Sequence, residues 1–158
     1  MMKKFLVIGN PISHSLSPQL HNYWINKNGI NAIYEKAKLE SNELKNLILK
    51  IKSKEIDGIN ITVPFKKEII SYCDKLSLES QSTQSVNTIN LDNDKIVGHN
   101  TDINGFELGV NDTNYTVRGK KILILGAGGV VPSIIFALNK MGASKITVTN
   151  RTKVKAEA

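Results

Sequence analysis

One cysteine, two arginines and no long apolar stretch characterise this chain before any motif does. Cys73 alone cannot build a disulfide framework, so a reducing cytoplasm is the expected setting, and its thiol reads as a small buried hydrophobe. No apolar run approaches the roughly 20 residues that a membrane helix needs. The opening Met1-Met2-Lys3-Lys4 leads into only Phe5-Leu6-Val7-Ile8 before Gly9, shorter than the apolar segment of a secretion signal. The shortage of arginine also qualifies the net charge of +7. Lysines such as Lys45, Lys50, Lys52 and Lys54 are scattered rather than interleaved with aromatics, which argues against a nucleic-acid surface. His14, His21 and His99 have no metal-ligand spacing and no cysteine cluster to join, so no metal is expected.

What the chain does contain is strand-helix alternation, within a length that buries one core, or one domain and part of another. Lys3–Ile8 reads as a strand, turned by Gly9-Asn10-Pro11. Ser17-Pro18 then starts a helix, serine at the N-cap and proline at N1. Its inner face is expected to carry Leu20, Tyr23, Trp24 and the stem of Lys27, and Gly29 closes it. Ala32–Lys38 is a second strand. Ser41 caps a helix whose Leu44, Leu47, Ile48 and Ile51 recur at i, i+3, i+4 and i+7. Leu76–Ser85 is polar and Ser-rich and reads as a loop or a weakly periodic helix. Asp92-Asn93-Asp94 turns a hairpin between Val86–Leu91 and Lys95–Gly98. A helix is expected over Ile103–Val110, then a polar connection over 111–118. The pattern predicts an α/β fold, an N-terminal mostly parallel sheet flanked by helices.

The stretch Asn60-Ile61-Thr62-Val63-Pro64-Phe65-Lys66 organises the first part. It alternates like a strand, then Pro64 ends the ladder because it has no N–H, and Phe65–Ile70 continues with helical spacing. Asn60, Thr62 and Lys66 therefore fall at the carboxyl end of a strand, where open α/β sheets place ligands. After Gly119, Lys121–Leu125 reads as a doubly buried parallel strand. Gly126-Ala127-Gly128-Gly129, a helix ending near Gly142 and a strand over Lys145–Thr149 follow. Strand, glycine loop, helix and strand is the context of a dinucleotide fingerprint. An NAD site offers a carboxylate about 20 residues past the loop. This chain has Asn150-Arg151-Thr152 there, and a guanidinium suits a 2′-phosphate, so the cofactor reads as NADP.

Four segments together resemble the shikimate dehydrogenase family. They are Asn10-Pro11-Ile12 with His14-Ser15 and Ser17-Pro18; Asn60, Thr62, Pro64 and Lys66; Val86-Asn87-Thr88; and Asn100-Thr101-Asp102 with Gly105. The glycine loop, with Val130 at its end, and Asn150-Arg151-Thr152 resemble that family's NADP loop and phosphate clamp. The resemblance runs from about residue 6 to the end of the chain. It implies reversible NADPH-dependent reduction of 3-dehydroshikimate to shikimate, in the chorismate route to aromatic amino acids. It also implies that Lys66 and Asp102 are the catalytic pair and that Ser15 and Ser17 bind the substrate carboxylate. Asn60, Thr62, Asn87 and Thr101 would lie near the substrate, and Gly126, Ala127, Gly128, Gly129, Val130, Asn150, Arg151 and Thr152 near the cofactor. The partner is then a small molecule, with no nucleic acid or membrane, and a homodimer is left open. A quinate/shikimate dehydrogenase and a non-catalytic shikimate-binding fragment are the alternatives.

The chemistry requires a group that handles the hydroxyl proton as a hydride moves. An ordinary lysine titrates near 10.4, burial lowers that value and a neighbouring carboxylate opposes the lowering. The residue types therefore leave open which member of the pair moves the proton. Ser17 combines capping with ligand binding, whereas Ser15 has no capping role to explain it. Three departures from the family stand out. Gln84-Ser85 replaces a common glycine-alanine. Val130-Val131-Pro132-Ser133 opens a helix where relatives often carry alanines and a basic residue. The third departure is the end at Ala158, which leaves one βαβ where a dinucleotide half needs two. The expected division is residues 1–103 for substrate, 104–118 as connecting helix and linker, and 119–158 as an incomplete Rossmann-type domain. A truncated chain with little activity of its own is expected.

Overall fold

Alternate residues of Lys3–Gly9 (β1) point into two separate cores, and the first sheet is built around that strand. The structure is a computed structural model and describes residues 2–154; Met1 and residues 155–158, which the sequence assigns to the two domains' outer ends, lie outside the described residues. Ala32–Lys38 (β2) and Gly58–Ile61 (β3) flank β1 in parallel. Thr88–Asp92 (β5) and Lys95–His99 (β6) continue the sheet antiparallel. The short Lys75–Leu76 (β4) then pairs parallel with β6 at the far edge, giving the order β2-β1-β3-β5-β6-β4. The α/β class holds and three of the five strand pairings are parallel, but the sheet is mixed, because β5 pairs antiparallel with both β3 and β6. The two-residue turn of the β5-β6 hairpin, Asn93 and Asp94, has φ of 47° and 60°, the left-handed pair that matches strand twist.

Leu6 and Ile8 enter the larger core, facing Leu44–Lys52 (α2), which buries Leu44, Leu47, Ile48 and Ile51. The helical spacing read from sequence thus names the packed face, each such side chain contributing about 1.5–3 kcal/mol of burial. Val7, on the opposite face, meets Ile12, Tyr34 and Ile25 of Ser17–Lys27 (α1). This corrects the expected face of α1: Ile25 is the buried residue, and Leu20, Tyr23 and Trp24 are exposed. Lys27 instead lies over both the Tyr23 and Trp24 rings. The capping is also shifted. Leu16 occupies the N-cap position without a side-chain bond, and Ser15 Oγ accepts the Ser17 N–H at 3.3 Å.

Two other local expectations change. A 3-10 turn over Ser41–Glu43 precedes α2, and Glu40 with Glu43 forms its capping box, not Ser41. Phe65–Ile70 is not a helix: a 3-10 segment spans only Glu68–Tyr72, while Phe65 is buried in the core. Of the two readings of Leu76–Ser85 the helix holds: Leu78–Thr83 (α3) follows the end of β4 and is capped by Ser77 Oγ accepting from the Ser80 N–H. Gln84 ends α3 in the left-handed region, φ 48°, where glycine would sit without strain.

Asp102–Asp112 (α4) leads into the second sheet, Lys121–Leu125 (β7) and Lys145–Thr149 (β8), parallel and joined by Val131–Lys140 (α5). The doubly buried reading of β7 does not hold. Its residues alternate between exposed and half-buried, with Leu125 at 78 % exposure, so one face of the strand is open among the described residues. Helix α5 packs on α3 and α4, and Lys140 Nζ pairs with Glu107 of α4 at 2.9 Å. No helix among the described residues is long and apolar enough to cross a membrane.

Candidate functional site

Lys66 and Asp102, 36 residues apart in sequence, meet at 2.6 Å between Nζ and Oδ2. Each reaches that point from a chain break in regular structure: Lys66 from the turn that Pro64 forces after β3, Asp102 from the first position of α4. Their side chains are 14 % and 22 % exposed, so the pair is shielded but reachable. Such a pair is screened less than a surface ion pair.

Asn87 anchors the carboxylate from its other side. Its Nδ2 donates to Asp102 Oδ1 at 2.8 Å and to Thr101 Oγ1 at 2.9 Å. Its Oδ1 accepts from the Thr101 N–H at 3.0 Å and from the Thr88 hydroxyl at 3.0 Å. Asn60 lies one layer behind. Its Nδ2 donates to Thr88 Oγ1 at 3.0 Å, and its Oδ1 accepts from the Tyr34 hydroxyl at 2.6 Å. Five of the sequence-predicted residues, Asn60, Lys66, Asn87, Thr101 and Asp102, therefore share one hydrogen-bonded network. Both ends of the Asn60 amide are thus engaged within the protein.

Thr62 and the loop that carries the serines are tied to each other by backbone contact. Thr62 N–H donates to the Ile8 carbonyl, and Asn10 N–H donates to the Val63 carbonyl, so the turns after β1 and β3 lie against each other. Gly9 makes this possible: a Cβ there would stand 2.6 Å from Thr62 Cγ2. Ser15 and Ser17, both half-buried, follow on the loop from β1, at the same carboxyl edge as Lys66.

The residues expected to hold a nucleotide gather at the carboxyl ends of β7 and β8. Gly126, at φ 111°, donates its N–H to Thr149, which brings the glycine loop beside Asn150-Arg151-Thr152. Asn150 Nδ2 donates to the Thr152 carbonyl at 2.8 Å, and Arg151 is exposed. Nothing stands within 4 Å of where a Cβ would project at Gly126, Gly128 or Gly129. That leaves the backbone open to a pyrophosphate at the start of α5, with a guanidinium and no carboxylate on the neighbouring turn. A cavity of about 820 Å³ is lined by Lys66 from the first group of residues and Gly129 from the second, together with Ser85, Pro132 and Phe136. Ser85 Oγ is buried there without a hydrogen-bond partner among the described residues.

The sequence reading gave no site role to Tyr34, His21, Asn22 or Ser133. Tyr34 is 5 % exposed, and burial pushes its phenol up to about 12. His21 stacks on its ring at 4.2 Å, and burial lowers the imidazole from its ordinary value. The Asn22 side chain bonds both the N–H and the carbonyl of Tyr34, locking α1 to β2. No local pattern singles these residues out; only the pairing of β2 with β1 brings Tyr34 near Asn60. Cys73 is half-buried, and burial with the adjacent Asp74 charge pushes its thiol up to about 11. His99 pairs with Asn90, and among the described residues no His, Cys, Asp and Glu cluster could hold a metal.

Comparison with known proteins agrees with this geometry. Residues 7–89 match the family described as shikimate dehydrogenase substrate binding domain, and residues 108–158 match shikimate / quinate 5-dehydrogenase. The shikimate dehydrogenase (NADP(+)) of Pelagibacter ubique is 58 % identical over 156 residues, 99 % of this chain and 59 % of that protein. Its counterpart in Caldicellulosiruptor saccharolyticus is 38 % identical over 159 residues, covering 57 % of that protein. The crystal structure of shikimate dehydrogenase from Aquifex aeolicus superposes with a TM-score of 0.92 at 41 % identity, over 99 % of this chain and 58 % of that one. The Thermus thermophilus shikimate 5-dehydrogenase solved with NADP(H) and shikimate gives 0.90 at 31 % identity, over 99 % and 59 %. The chain thus spans a little under three fifths of the relatives it matches.

Proposed function

This chain belongs to the shikimate dehydrogenase family, and from that premise we propose that it carries the substrate-binding and proton-handling part of an NADP-dependent shikimate dehydrogenase. The reaction is the reversible reduction of 3-dehydroshikimate to shikimate. The observation that carries the reading is one cavity bounded both by Lys66, bonded to Asp102, and by Gly129 of the glycine loop. The division into residues 1–103 for substrate, 104–118 as connection and 119–158 for nucleotide follows the two sheets. The reading includes a cytoplasmic setting and admits a homodimer.

Bound NADPH supplies the hydride; the chain's own task is the proton. As the carbonyl of 3-dehydroshikimate gains that hydride, its oxygen gains charge and needs a proton within hydrogen-bond reach. The Lys66 ammonium has three donors, and only one is directed at Asp102. It donates a proton to the forming alkoxide, and the resulting hydroxyl donates a hydrogen bond to Asp102. In the oxidising direction the same pair receives the proton. Asn87 holds Asp102 in place throughout, Thr62 and Thr101 line the polyol side, and Ser15 and Ser17 receive the substrate carboxylate at the start of α1. The glycine loop with Val130 and the Asn150-Arg151-Thr152 turn hold the cofactor's phosphates.

Calorimetry of the 158-residue chain with shikimate and quinate tests the reading. Shikimate is expected to bind, and Lys66→Gln and Asp102→Asn to weaken it by tenfold or more. Absence of shikimate binding would overturn the proposal, and stronger quinate binding would move it to a quinate/shikimate dehydrogenase. Turnover by this chain alone is expected to be slight, because its second sheet has only β7 and β8 among the described residues.

A further inference from the structure

Asn100 sits between the two halves with its side chain fully engaged. It is 4 % exposed. Its Nδ2 donates to Thr83 Oγ1 of α3 at 2.9 Å and to Ser133 Oγ of α5 at 2.8 Å. Its Oδ1 accepts the backbone N–H of Asp102 at 3.0 Å, the first of the donors at the start of α4 that the helix itself cannot satisfy. Ser133 is wholly buried. Thus α5, whose first turn follows the glycine loop, is linked through Ser133 and Asn100 to the peptide group that carries the proposed proton-handling carboxylate.

The structure assigns Ser133 the role of a positioning residue for Asp102, acting through Asn100; this rests on the shikimate dehydrogenase reading above. An amide side chain pivots about χ2 unless both ends are held. Thr83 alone leaves one N–H of Asn100 without a partner, and a buried orphan donor drives rearrangement. With Ser133 in place the amide plane is fixed, and its oxygen holds the Asp102 N–H. The carboxylate is then presented to Lys66 and Asn87 at one setting rather than several. A loop opening or helix shift at the nucleotide side reaches Asp102 by the same two bonds.

The test compares the parent 158-residue chain with Ser133→Ala and the conservative Ser133→Thr, reading amide hydrogen exchange at Asp102 by NMR and shikimate affinity by calorimetry. Ser133→Ala is expected to speed Asp102 exchange about tenfold and weaken shikimate binding about fivefold. Restoration of both to within twofold of the parent by Ser133→Thr would support positioning by the hydroxyl. Parental exchange and affinity in Ser133→Ala would overturn the assignment, as would a Ser133→Thr variant no better than Ser133→Ala. Should Ser133→Ala not fold, Ser133→Cys, of similar size with a weak acceptor, is expected to show the same losses in part, and parental values there would again overturn it. A parent chain that binds no shikimate would defeat the functional reading, while the exchange comparison at Asp102 would still decide the role of Ser133.

Discussion

Asn87 donates to Asp102 Oδ1 at 2.8 Å, the carboxylate oxygen that Lys66 leaves free. The two groups together fix the carboxylate plane, and Asn87 does so from a residue that is itself 8 % exposed. Asn87→Ala would strand Asp102 Oδ1, the Thr101 N–H and the Thr88 hydroxyl at once. A loss of about 2–3 kcal/mol in urea unfolding is expected, with shikimate affinity down at least tenfold. Parental affinity in this variant would show that Asp102 needs no such support.

High pH should act through Tyr34 and Cys73. Burial raises Tyr34 to about 12 and Cys73 to about 11 in the folded chain. Both groups are held neutral by the fold, so their contribution is complete below the unfolded values and declines as pH climbs through the folded ones. Stability is therefore expected to fall between about pH 9 and pH 12, and Tyr34 to give a late step in a tyrosinate absorbance titration. Tyr34→Phe should abolish that step. If the step survives the substitution, the assignment to Tyr34 is wrong.

Gly9 joins the turns that carry Ser15 and Thr62. Gly9→Ala places a Cβ 2.6 Å from Thr62 Cγ2 and 3.1 Å from the Val63 carbonyl. Because Thr62 is branched at Cβ and cannot swing far, the two turns must separate. Overpacking of this kind costs about 1–3 kcal/mol. Thermal unfolding together with shikimate titration checks this, and an unchanged melting point with unchanged affinity would refute it.

Arg151 should set the preference for a 2′-phosphate. Adenosine 2′,5′-bisphosphate is expected to bind this chain more tightly than AMP, and Arg151→Ala to reduce the difference about tenfold, the effect of losing roughly 1.5 kcal/mol of charged hydrogen bonding. Equal loss for both nucleotides would mean that Arg151 reads charge in general rather than the 2′ position.

Much of this site was legible in sequence because its residues cluster in short segments whose spacing turns on strand ends. Lys66 follows Pro64, Asp102 opens a helix, and Gly126–Gly129 stands between a strand and a helix. The α2 face was legible for a similar reason, as four apolar residues at helical spacing leave one choice. The α1 face was not. Its aromatics suggested a packed stripe, but Lys27 stacks over them, and it is Ile25, with His21 and Asn22 against Tyr34, that turns inward. Phe65–Ile70 misled because Phe65 serves the core rather than a helix face. Tyr34, Asn100 and Ser133 act through partners 26, 17 and 33 residues away. Spacing within a segment carries no trace of such pairings.

The exposed position of Trp24 has a practical meaning for solution work. It is the chain's only indole, 48 % exposed on α1, edge-on to Tyr23 at 5.2 Å and beneath the Lys27 ammonium. Its emission therefore reports on the helix that Ser17 begins, and neither hydrophobic core contributes to it. A fluorescence trace from this chain will follow events at that helix and register global denaturation only as far as the helix melts with the rest.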